Sequence, residues 1–168
     1  FLSIKSTKPL VFEAEGFVPW LDEHRKDIAW NFYNPYEEYL LKVKGWNPKA
    51  VTSIKQSSDI ILDHMANPKS DKLFNKQGLV IGDIQSGKTA NYTAVINKAI
   101  DAGYKIIIVL AGMTRDLRNQ TQKRLDSEVL GYETKNKGKG KALGVGTIKQ
   151  LNIEGLTYSD EDKDYGDM

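Results

Sequence analysis

One segment of this chain has residue types and a spacing that suit phosphate chemistry. Gly82, Asp83, Ile84, Gln85, Ser86, Gly87, Lys88 and Thr89 fit the pattern Gly-x-x-x-x-Gly-Lys-Thr. Glycines at these points let successive backbone N–H groups curl inward around phosphate oxygens. A helix starting at Gly87 would add the positive end of its dipole. Lys88 is the catalytic candidate, placed to reach the β- and γ-phosphates. Thr89 would put its hydroxyl on a magnesium ion. The implied ligands are ATP and Mg²⁺. Gln85 has two open readings, a side-chain contact to phosphate or a backbone N–H alone. The dinucleotide pattern Gly-x-Gly-x-x-Gly is not present here.

A second group lies downstream, in Ala111-Gly112-Met113-Thr114-Arg115-Asp116-Leu117-Arg118-Asn119-Gln120. Thr114 can cap a helix running to about Val129, with Arg115 and Arg118 near its start. A helix N-terminus with guanidiniums suits a nucleic-acid backbone, and Thr114, Arg115, Arg118 and Gln120 are the candidate contacts. The alternative is a solvated helix with Arg118, Lys123 and Arg124 facing water. The acidic motif that a phosphate-transferring site also needs is not evident. Asp160-Glu161-Asp162 lacks a good strand before it, and the calcium-loop reading of Asp160 to Asp164 fails on its glycine position and missing Glu. His24 and His64 stand isolated and read as packing or surface residues.

These groups need elements to hold them. Gly78 to Ile81 is a short apolar run that suits a buried strand. From Gly87 a helix would show Tyr92, Val95, Ile96 and Ala99 on one face and stop near Gly103. Ile106-Ile107-Ile108-Val109-Leu110 reads as a central parallel strand, and Val145 to Ile148 as a third strand. The expected fold class is therefore α/β, a P-loop NTPase with a helicase-like parallel sheet core. An N-terminal helical subdomain precedes it. There Pro19 could open a helix carrying Leu21, Arg25, Ile28 and Phe32. Asn34-Pro35 and Asn47-Pro48 give two further start signals, with Glu37 completing a capping box after the first. Residues Trp20, Trp30, Phe32, Tyr33, Tyr36, Tyr39 and Trp46 recur at spacings that fit a core, and none is assigned to a base. The division is 1–76 helical, 77–150 NTPase core, and 151–168 an acidic segment. Asn136 to Lys141 reads as a Gly/Lys loop.

Two resemblances sharpen this. Thr114, Arg115, Leu117 and Gln120 are similar to a segment of superfamily-two helicases, Pro-Thr-Arg-x-Leu-x-x-Gln, although Gly112-Met113 departs from the usual Ala-Pro. More broadly, Tyr36-x-x-Tyr39-Leu40, Lys44-Gly45-Trp46, the run from Gly78 to Tyr92, Lys98 to Tyr104, and Leu117-Arg118-x-Gln120-Thr121-Gln122 resemble the Z-one domain family. That family comprises helicase-like ATPases described as endonucleases of restriction-modification and phage-defence systems. The likeness runs from about Trp20 to Gly131. It implies an ATP-dependent motor directed at DNA and working with other restriction or defence proteins. No nuclease centre is found in this chain. The enzyme alternative is a P-loop kinase or other NTPase with a small substrate, and a third reading is a nucleotide-binding scaffold without turnover.

Composition sets the outer bounds. The 168 residues are enough for one core with a smaller appendage. A net charge of +2 is too small to argue for nucleic acid by itself. Cysteine is absent, which excludes disulfides and thiolate metal sites and fits a reducing cytoplasm. No apolar run approaches the ~20 residues of a membrane span, so no membrane is expected. The chain opens on Phe1 with no leader pattern and reads as a truncated fragment.

Overall fold

A computed structural model describes residues 10–13, 15–82, 87–134 and 140–157. Helices run Leu21–His24 (α1), Tyr33–Glu38 (α2), Pro48–His64 (α3), Lys88–Ala102 (α4) and Arg115–Leu125 (α5). Short 3₁₀ turns follow at Arg25–Asp27 and Gly144–Thr147. Wider π turns extend α2 through Tyr39–Val43 and α5 through Asp126–Leu130.

The expected α/β class is overturned: among the described residues there is helix but no strand and no parallel sheet. The one β feature is an isolated antiparallel bridge between Tyr132 and Ala142. The physical reason lies in pairing. A β-branched run becomes a buried strand only when neighbours complete its hydrogen-bond ladder. No backbone–backbone bond among the described residues reaches 78–81 or 106–110. Both runs stand open to water, with Leu79 84% and Ile108 78% exposed. The third expected strand is instead the 3₁₀ turn Gly144–Thr147, with Val145 fully buried.

The core is built where α3 packs on α4. α3 starts as its sequence predicts, with Asn47 accepting from the Lys49 N–H at 2.9 Å and Pro48 at the first helical position. It buries Val51, Ile54, Ser58 and Leu62. One apolar cluster joins Tyr33, Tyr36, Tyr39 and Leu40 to Val51, Ala90, Ala94 and Val145. A second joins Leu21, Ile28, Leu62, Ala99 and Ala102.

α4 buries the expected face only in part. Ala90, Thr93, Ala94, Asn97, Lys98, Ala99 and Ala102 are buried, so of the expected residues Ala99 is interior, Val95 and Ile96 are partly buried and Tyr92 is 36% exposed. Lys98 lies in the interior because its ammonium is satisfied on all sides. It donates to Asp59 Oδ1 at 2.6 Å, to Ser58 Oγ at 2.7 Å and to the Lys55 carbonyl at 2.8 Å. Burial still pulls its pKa down to about 8, with Asp59 opposing that shift.

Two helix starts also depart from the sequence signals. α2 begins at Tyr33, one residue before Asn34, and no side chain of its own N-cap bonds to it. The Asp101 carboxylate on α4 takes the N–H groups of Phe32 at 3.0 Å and Tyr33 at 2.8 Å. The helix expected to carry Leu21 through Phe32 stops at Asp27, where Ile28 turns extended. Its start is held by Asp63 of α3, whose Oδ1 accepts from Trp20 and Leu21. No described helix is long and apolar enough to cross a membrane.

Candidate functional site

The first turn of α4 carries the candidate phosphate residues. Gly87 sits just before it at φ 79°, a left-handed geometry that costs glycine little. Fifteen residues of helix follow, so the turn presents a developed positive end. The turn is anchored to two other helices and braced within its own. The Tyr36 hydroxyl donates to the Ala90 carbonyl at 3.1 Å. The Thr93 hydroxyl donates to the Thr89 carbonyl at 2.9 Å. Asn91 bonds Ser57 on α3. Lys88 extends outward, exposed, and its ammonium donates to the Gly82 carbonyl at 2.7 Å. This bond ties the Lys88 side chain to Gly82, the first residue of the motif. Asp83, Ile84, Gln85 and Ser86 lie outside the described residues.

A cavity of about 410 Å³ opens against this turn. Lys88 and Thr89 line it from α4, Lys44 and Trp46 from the chain after α2, and Arg124 and Glu128 from the end of α5 and the π turn beyond. Three cationic side chains and one carboxylate thus face it, a lining that favours a polyanion. Glu128 is 9% exposed, and no hydrogen bond or ion pair among the described residues reaches its carboxylate. Burial pushes its carboxyl up, while Arg124 and Lys44 pull it back. The Lys44 ammonium stands 5.5 Å from the Tyr39 ring centre. No group of three or more His, Cys, Asp or Glu among the described residues could hold a metal ion alone. Any magnesium here would take its ligands from Thr89 and from the phosphates it accompanies.

The second candidate group is only partly drawn in. Thr114 caps α5 as its sequence predicts, accepting from the Leu117 N–H at 3.4 Å. Arg115 and Gln120 are exposed, and Arg118 is half-exposed with a 2.9 Å bond to Asn119 Oδ1. Met113, just before the cap, is fully exposed. Arg115 and Arg124 are nine residues apart, about 14 Å along the helix. One end of α5 therefore meets the cavity while the other points its arginines at solvent. Asp160-Glu161-Asp162 lies outside the described residues, as does most of Asn136 to Lys141. His64 proves structural, stacked on Phe17 at 4.1 Å with Nδ1 2.7 Å from the Ile60 carbonyl.

Sequence reasoning missed the cavity's far wall. Arg124 enters the sequence reading only in the alternative of a water-facing helix, and Glu128 is not singled out. Their four-residue spacing places them on one helix face, but only the fold turns that face toward Lys88. Comparison with protein-family models, with curated proteins and with solved structures finds no match for this chain.

Proposed function

We propose that this chain binds the phosphates of ATP with magnesium, as the nucleotide-binding part of an ATP-dependent enzyme. The observation that carries the reading is the cavity at the first turn of α4, lined by Lys88, Thr89 and two further cations. Lys88 would leave the Gly82 carbonyl for the β- and γ-phosphates, a stronger, charge-assisted partner. Thr89 would place its hydroxyl on the metal, which supplies charge neutralisation for phosphoryl transfer. The test is equilibrium binding of Mg-ATP to the chain and to Lys88→Ala. Loss of a charged hydrogen bond to phosphate predicts binding weaker by about tenfold or more. Equal affinity in the two proteins would refute the site.

The resemblance to the Z-one domain family extends this reading to a DNA-directed, helicase-like motor of restriction or phage defence, working in the cytoplasm with partner proteins. The exposed Arg115 at the start of α5, with half-exposed Arg118 one turn on, supports a backbone contact. Replacing both with Ala in the full-length protein should weaken binding to unrelated DNA sequences by similar factors. It should also reduce the salt dependence by roughly one unit of slope per lost phosphate contact. An unchanged slope would remove α5 from the DNA path.

A further inference from the structure

The cavity beside α4 contains more than a phosphate site requires. A phosphate-binding surface uses cations and backbone N–H groups, and a carboxylate among them repels the ligand. Yet Glu128 faces this cavity, is nine-tenths buried, and has no hydrogen-bonding or ionic partner among the described residues. A carboxylate that no protein donor engages and that opens toward a cavity is available to accept from a ligand that brings donors. A bare metal ion is a poor candidate, because three cations line the same space. A neutral hydroxyl is a good one, since it donates to a carboxylate and brings no charge of its own. Trp46 lines the same cavity, partly buried, and offers the aromatic surface that a base requires. The volume of about 410 Å³ falls within the range of small-molecule sites.

We propose that this cavity takes the nucleoside half of the nucleoside triphosphate, with Glu128 accepting a hydrogen bond from a ribose hydroxyl. The proposal rests on the phosphate-binding reading of Lys88 and Thr89 and assigns the remainder of the same ligand. Arg124 and Lys44 then have two roles, keeping Glu128 in its accepting form and drawing the polyphosphate toward α4.

The experiment is isothermal titration of the chain with three Mg²⁺-loaded probes: ATP, 2′,3′-dideoxy-ATP and inorganic tripolyphosphate. The chain should bind ATP about tenfold more tightly than the dideoxy analogue, the usual value of a hydrogen bond to a charged group. In Glu128→Leu the two nucleotides should bind alike, with affinity for tripolyphosphate undiminished, since a carboxylate that repels it is gone. Lys88→Ala should weaken all three. If tripolyphosphate binds but ATP and its dideoxy analogue are not distinguished, the Glu128 assignment falls and the phosphate site stands. If none of the three binds, both fall. Glu128→Gln guards against misfolding of the leucine variant. A carboxylate kept for a ligand predicts an unchanged or raised Tm on amidation. A lowered Tm with discrimination retained would make Glu128 structural and overturn the proposal.

Discussion

The α3–α4 pair and the two apolar runs beside the phosphate motif invert the usual rule of burial. Inside the pair, Lys98 is 1% exposed and Thr93 is fully buried. In the runs, Leu79, Ile81, Ile106, Ile108 and Leu110 are all more than two-thirds exposed. What separates the two regions is partners rather than hydropathy. Every hydrogen of the Lys98 ammonium has an acceptor, and the ammonium lies 4.3 Å from the Tyr33 ring centre. Among the described residues the runs have no ladder to complete. A polar group with satisfied bonds can be interior, and an apolar group without neighbours cannot.

The sharpest way to break this contrast is at Tyr36, which has no exposed surface and ties α2 to the first turn of α4. Tyr36→Ala should cost about 3–5 kcal/mol in chemical denaturation, as for other buried aromatics. It should also loosen nucleotide binding, because the Ala90 anchor goes with it. Tyr36→Phe, which removes the hydroxyl alone, should cost about 1 kcal/mol.

Lys98→Ala should cost about 3 kcal/mol, by leaving Asp59, Ser58 and the Lys55 carbonyl short of a donor. Lys98→Met keeps most of the stem and should cost less. The same residue predicts a pH effect. Its pKa is about 8 in the fold against 10.5 unfolded, so between those values the unfolded chain holds the extra proton. Stability should therefore rise with pH across that window, because the charged form is the one the interior disfavours. Asp59, Arg25, Lys55 and Tyr33 are the ionisable groups around it. Tyr33 and Tyr36 are held well above their ordinary 10.0, and they stabilise the fold less once the unfolded tyrosines ionise. Thermal melts between pH 8 and 10 isolate the lysine, and the rise should vanish in Lys98→Met.

Smaller effects test the long-range cap and the exposed runs. Asp101→Ala should cost about 1–2 kcal/mol, the value of a lost helix cap. Burial raises the Asp101 carboxyl and the N–H groups of Tyr33, Phe32 and Asn31 oppose that, so Asp101→Asn should recover part of the loss. In the runs, Leu79→Ser with Ile108→Ser should shift stability by less than about 0.5 kcal/mol each, as expected for surface positions. A loss above about 2 kcal/mol in the double variant would mean that these residues bury in solution and would end the contrast.

Much of the site was legible without the fold. Gly87, Lys88 and Thr89 were legible because their motif is contiguous, and the structure puts them at a helix start with Gly87 left-handed. The Thr114 cap, the Asn47-Pro48 start and the stop at Gly103, at φ 110°, were legible for the same reason. Each is a bargain among residues within one turn of each other. Arg124, Glu128 and Lys44 were not, since no local pattern says which helix face another element will cover.

The sequence by itself determined where several helices begin and end, including the start of α4 at Gly87, Lys88 and Thr89. Those outcomes depend on backbone angles and on hydrogen bonds between near neighbours. Only the tertiary structure decided that Asp101 caps α2 and Asp63 caps α1, across about 69 and 42 residues. It also decided that Lys98 is interior, and that 78–81 and 106–110 find no ladder partner among the described residues. Ladder partners, distant caps and the neutralisation of a buried charge all come from residues far apart in the chain. Their free energy exists only once those residues have been brought together.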